Sequence, residues 1–242
     1  EGFDEDQDRP RYDEAVYLRI GASEDELVSG YPVAAEELYE YSLVIWGDVD
    51  RELFNSTQME LTRDYVEKRG GKLLLLGGTE SFVESGFSGS LVESMLPVLL
   101  HRQSDPADSM KTGEEFGVVP TMEGYLAGSW SFHTNANEND KMFFELPKLY
   151  GLERFPLVRP GATVMAEVAP DSDLLAGQPL YLVQRYGEGR CGVLATSDTW
   201  QWQMSLPNED DRHERIWRQL VRNLVHDTPA AAYLRGKKDA YT

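Results

Sequence analysis

Two uninterrupted apolar runs stand out in the first third of the chain. Ser42-Leu43-Val44-Ile45-Trp46 closes with Gly47-Asp48-Val49-Asp50, and Lys72-Leu73-Leu74-Leu75-Leu76 closes with Gly77-Gly78. Apolar runs of this length that end in glycine suit parallel strands covered on both faces. Between them Met59, Leu61, Tyr65 and Val66 recur near helical spacing, with Ser56 as the expected N-cap and Gly70-Gly71 as the stop. Strand, helix and strand in so short a stretch predict a βαβ unit with a right-handed crossover. A shorter strand is expected at 15–20. Late in the chain, strand patterns at 162–168, 180–186 and 190–196 flank a Gly187-Glu188-Gly189 turn, a hairpin signal. From Arg212 to Val225, Ile216, Trp217, Leu220, Leu224 and Val225 share one helical face, opposite Arg215, Arg218 and Arg222. The class is α/β, a mostly parallel sheet with a late hairpin.

The stretch 79–97 reads as a glycine- and serine-rich loop followed by a short helix. Residues 101–145 break the periodicity with Pro106, Gly113, Gly117, Pro120 and Gly124, and with a polar run through Asp140, so an irregular insertion is expected there. Its polar tip and its aromatic base at Trp130 and Phe132 suit a surface flap. The first fourteen residues form an acidic arm. Asp4, Asp6 and Asp8 alternate as calcium ligands would, yet Arg9 replaces the turn glycine and Ala15 the closing glutamate of such a loop.

Charge sharpens the picture. The 242 residues carry 42 acids against 23 Lys and Arg, net −19, a surface that repels nucleic-acid phosphates and anionic lipid. Residues 1–50 hold fifteen acids and three bases, whereas 211–242 are net basic. At 41% hydrophobic the chain can bury a real core. No apolar run approaches the roughly 20 residues of a membrane span, and no leader pattern is present, so a soluble segment without direct membrane insertion is expected. The single cysteine, Cys191, excludes an internal disulfide and a multi-cysteine zinc site.

Four blocks in order carry a resemblance: 41–50, 70–78, Gln184-Arg185-Tyr186-Gly187-Glu188-Gly189-Arg190, and Ala195-Thr196-Ser197-Asp198-Thr199-Trp200-Gln201-Trp202. Together they resemble the class I glutamine amidotransferase-like domains of large bacterial proteins, often found beside von Willebrand factor A-type domains and membrane segments. The resemblance covers most of residues 15–225. It implies a three-layer, flavodoxin-like α/β domain over 15–227, with 228–242 as a linker or the opening of a following β-domain. It also implies partners among the other domains of a larger, cell-envelope-associated protein, with a cytoplasmic location as the alternative. Fold alone implies no chemistry.

An amidotransferase needs a cysteine thiolate at a tight strand-to-helix turn and a histidine, oriented by an acid, to take its proton. The matching turn reads Gly77-Gly78-Thr79-Glu80-Ser81-Phe82, without cysteine, and the late strand is followed by Asp198 but no histidine. A degenerate, non-catalytic domain is therefore expected. Ser81, with Glu80 and Asp198 nearby in pattern, is the remaining candidate for an unrecognised hydrolytic site, although Gly-x-Ser-x-Gly is absent. Cys191 reads as a buried hydrophobe. His101, His133, His213 and His226 are too scattered for a metal pair, so neither metal nor cofactor is expected. Asp48 and Asp50, at the carboxyl end of a central strand, and Gly77, Gly78 and Thr79 are the candidate ligand-binding residues of a small-ligand or sugar-binding alternative. Trp200 and Trp202, on one face of an expected extended segment, either close the core or anchor a partner.

Overall fold

A computed structural model describes residues 27, 30–77, 82–100, 115–172 and 175–226. The chain divides into two units, Glu1–Pro32 and Val33–Thr242. Of the shorter one only a turn is described, in which the Gly30 N–H donates to the Leu27 carbonyl at 3.0 Å. The strand expected at 15–20 and the aspartates of the acidic arm lie outside the described residues.

The larger unit is built on a six-stranded mixed sheet. Its strands are β1 (Leu43–Gly47), β2 (Lys72–Leu76), β4 (Val118–Pro120), β6 (Ala162–Val168), β7 (Pro179–Tyr186) and β8 (Gly189–Leu194), in the spatial order β1-β2-β8-β7-β6-β4. β1, β2 and β8 pair in parallel, and β8, β7, β6 and β4 pair antiparallel, so four of the six strands run one way. Short β3 (Val98–Leu99) and β5 (Leu157–Val158) pair separately. The predicted hairpin is β7–β8, closed by the two residues Gly187 and Glu188. Gly187 has φ +56°, the left-handed geometry that the first position of so short a turn asks for.

Helix α1 (Ala35–Leu38) precedes β1, and α2 (Ser56–Glu67) joins β1 to β2 as the βαβ unit the apolar runs predict. The helix begins one residue earlier in its capping than expected. Asn55, not Ser56, is the N-cap: its Oδ1 accepts from Gln58 N–H at 2.9 Å, while Gln58 Oε1 accepts from Asn55 N–H at 3.0 Å. Satisfying two orphan donors reciprocally outcompetes a lone serine cap. Gly70, with φ +82°, ends the helix as predicted, and Gly71 N–H reaches back to the Tyr65 carbonyl.

Side chains alternate along a strand. Leu74 and Gly192 therefore look toward α6 (Arg212–Val225), where Leu224 and Tyr181 meet the Gly192 position. Leu73 and Cys191, paired across β2 and β8, look toward α2. Helices thus cover both faces. On α6 the predicted stripe holds: Ile216, Leu220 and Leu224 are buried, with Trp217 partly so.

Three further expectations are corrected. The segment 115–145 is no surface flap: it supplies edge strand β4 and helices α3 (Met122–Leu126) and α4 (Ala136–Phe144). Phe116, Trp130, Phe132 and Phe143 lie in the core beside Tyr181. Buried Asn139 accepts from the Phe132 and His133 N–H groups, so a polar run that looks solvated instead fastens the aromatic segment. Residues 101–114 lie outside the description. The Trp200–Trp202 segment is not extended but opens helix α5 (Trp200–Ser205). The expected short helix after the 79–90 loop is a single 3₁₀ turn, Glu93–Met95.

Candidate functional site

Ligands of open α/β sheets sit outside the carboxyl ends of the parallel strands. Here that edge belongs to β1, β2 and β8, and its two ends differ.

Beyond β2 and β8 the edge is roofed. Gly77 N–H donates to the Leu194 carbonyl at 2.7 Å, and a Cβ on Gly77 would lie 2.7 Å from the Ala195 carbonyl carbon, so the two strand ends meet where only glycine fits. Segment 151–155 crosses above them. The Glu153 N–H donates to the Ala195 carbonyl at 2.7 Å, and the Gly151 N–H donates to Asp198 Oδ2 at 2.8 Å. Leu152 is fully buried, Glu153 is 4% exposed, and Phe155 packs edge-on against buried Phe82, with ring centroids 5.3 Å apart. Asp198 is thus tied to the backbone of the roof, and its own N–H donates to Thr196 Oγ1 at 3.0 Å. Gly78, Thr79, Glu80 and Ser81 lie outside the described residues.

The tryptophans divide at this corner. Trp202 is fully buried and its Nε1–H donates to the Pro147 carbonyl at 2.7 Å, anchoring the approach to the roof. Trp200 is 57% exposed, and Met204, one turn on, is 75% exposed, so α5 shows an apolar pair on its outer side.

Cys191 is fully buried in the middle of the sheet, between Leu73 of β2 and Gln184 of β7. Burial pushes its thiol far up, so no thiolate forms there at neutral pH. The described histidines have local partners or places. His133 Nδ1 accepts from Asn135 N–H at 3.0 Å, His213 Nδ1 pairs with Gln203 Oε1 at 3.1 Å, and His226 caps α6. His101 is outside the description. Among the described residues no group of three or more His, Cys, Asp or Glu is placed to hold a metal ion, and no helix is long and apolar enough to cross a membrane.

Beyond β1 the edge is open. Asp48 follows the strand with φ +53°, a left-handed conformation that aspartate tolerates better than most residues. Asp50 caps the 3₁₀ turn Arg51–Leu53 by accepting from Glu52 N–H at 2.7 Å. Neither lines the adjacent crevice of ≈ 410 Å³; Arg51, Met59, Ser88 and Leu91 are among the residues that do. The crevice opens beside the turn that the sequence singles out, with Arg51 and not Asp48 or Asp50 in its lining. It also missed Glu153 and the roof, whose contacts to Ala195 and Asp198 leave no local pattern.

No family model matches the sequence, and neither does any curated protein. Solved structures do resemble it. The cytoplasmic protein STM3548 from Salmonella typhimurium superposes with a TM-score of 0.60 at 18% identity, over 80% of this chain and 76% of its own. The cytoplasmic protein STM1381 from Salmonella typhimurium LT2 gives 0.56 at 19%, over 81% and 76%. A β-galactosidase from Rahnella sp. R3 gives 0.44 at 16%, over 78% of this chain and 23% of its own. The likeness to the two Salmonella proteins is one of fold.

Proposed function

We propose that this chain is a flavodoxin-like, class I glutamine amidotransferase-like domain that has no catalysis of its own and serves as a protein-interaction module of a larger protein. The observation that carries the reading is the roof. The Glu153 and Gly151 N–H groups donate to the Ala195 carbonyl and the Asp198 carboxylate, so 151–155 crosses the carboxyl end of β8, beside the strand after which an amidotransferase would present its nucleophile. The only cysteine, buried inside the sheet, adds to it: a nucleophile must be ionised and reachable. An interaction role draws on the exposed Trp200 and Met204, residue types that anchor interfaces when they are left uncovered.

The test is ammonia release from glutamine and hydrolysis of a panel of acyl esters by the purified chain, with Cys191→Ser and Ser81→Ala alongside. The expected result is no turnover above the buffer blank in any sample. Turnover abolished by either substitution overturns the non-catalytic reading and names the nucleophile.

A further inference from the structure

The open crevice beyond β1 sets a single cation, Arg51, among serines, glycines and apolar side chains, with Glu60 at its rim. One wall is Arg51, whose backbone N–H is held by the Ser85 carbonyl at 2.9 Å and whose Nη1–H reaches the Phe54 carbonyl at 3.3 Å. A guanidinium carries five N–H donors, and among the described residues no carboxylate is paired with this one. The facing wall is the loop with Gly86, Ser88 and Ser90. Glu93 braces it by accepting from Gly89 N–H at 2.6 Å through one oxygen and from Leu100 N–H at 2.8 Å through the other. The floor is apolar, with Met59 buried and Leu91 showing its side chain. Glu60, exposed on α2, supplies an acceptor at the rim.

We propose that this crevice docks the free carboxyl terminus of a partner polypeptide ending in an apolar residue. Such an end offers three groups in fixed relation: a carboxylate for the Arg51 fork, a backbone N–H donor for Glu60, and a side chain for Met59 and Leu91. Ser88 and Ser90 stand ready for the second carboxylate oxygen or for the preceding carbonyl. Charge selects the occupant. Among the described residues Arg51 is the one cation in the crevice lining, and Glu60 beside it, like the net charge of −19, opposes a doubly charged phosphate more strongly than a single carboxylate. Shape selects a chain end over a whole small molecule. Small-molecule pockets span about 300–1,000 Å³ and enclose most of their ligand; this crevice is at the small end of that range, and Ser56, Glu60, Gly86, Gly89 and Leu91 are all exposed along it. It is a trough, not a chamber.

The site gives the interaction-module reading a partner class and rests on it. Fluorescence anisotropy with the N-terminally labelled hexapeptide Gly-Ser-Gly-Ser-Val-Leu, as free acid and as C-terminal amide, tests it on the full chain. The acid is expected to bind at least about ten-fold more tightly than the amide, the worth of a charge-assisted hydrogen bond. Arg51→Gln should erase that preference, Arg51→Lys should keep part of it, and Glu60→Gln should weaken the acid without restoring the amide. Equal binding of acid and amide, no binding of either, or a preference that survives Arg51→Gln overturns the site. So does free L-leucine displacing the peptide at the peptide's own concentration, which would make it a small-molecule pocket. The comparison of acid with amide needs no variant and so does not depend on any substitution folding. Glutamine turnover would sink the non-catalytic reading and leave the acid preference intact, whereas loss of that preference sinks the site and leaves the reading standing.

Discussion

The two ends of the same sheet edge make the instructive pair. Beyond β8, a segment from the distant 151–155 region lies across the strand ends and is fastened by the Ala195 carbonyl and the Asp198 carboxylate. Beyond β1, the chain turns at once into Asp50 and the 3₁₀ residues Arg51–Leu53, and the crevice beside them stays open. The two strands run in the same direction. What differs is whether another part of the chain reaches over them. The topological position therefore offers a site, and the loops decide whether it remains one.

The contrast breaks most readily at its anchor. Trp202→Ala removes a wholly buried ring and its hydrogen bond to Pro147, and should cost about 3–5 kcal/mol in urea unfolding. Trp200→Ala, two residues away and exposed, should stay within about 0.5 kcal/mol. Equal losses would place both rings in the core. Gly77→Ala comes next: its Cβ meets the Ala195 backbone at 2.7 Å, and an expected loss of about 1–3 kcal/mol should appear as a lowered denaturation midpoint with an unchanged slope. Asp198→Ala frees the Gly151 N–H at a half-buried place and should cost about 1 kcal/mol, with faster amide exchange at Gly151 while the β1 end stays as protected as before.

The smallest effect is in pH, at the α5–α6 corner. Burial of the His213 ring holds its pKa below the ordinary 6.5, so protonation is harder in the folded than in the unfolded chain. The stability that depends on neutral His213 is complete above about pH 6.5 and is lost as pH falls below it. His213→Gln should flatten the thermal midpoint between pH 7 and 5; an unchanged slope would assign that dependence to other groups.

Much of the fold was legible because it is written in local periodicity. β1, α2, β2, the β7–β8 hairpin and α6 each bury a face that their own spacing announces. The misreadings share one cause. Trp200-Gln201-Trp202 alternates like a strand, yet the pair splits between solvent and core because α5 turns there. Asn135-Ala136-Asn137 looks like a solvated tip, yet Asn135 caps α4 and Asn139 holds the aromatic segment down. At the candidate site, the turn after β1 could be read from its glycine and acids, but that Arg51, and not Asp48 or Asp50, lines the crevice could not. Nor could the link from Gly151 to Asp198, 47 residues apart. A hydrogen bond to a backbone N–H imposes no side-chain pattern on its donor.

The sheet order carries a kinetic consequence. β2 pairs on one side with β1 through a short crossover, but its other neighbour, β8, is the last of the described strands to be made. While a ribosome is extending the stretch between them, Leu73, Leu74, Leu75 and Leu76 sit in a half-finished sheet with one edge unsatisfied, and such an edge recruits other chains. Closure of that edge over so long a loop is an intrinsically slow, non-local step. Chains ended at residue 188 should accordingly sediment as aggregates, and chains ended at 226 should not.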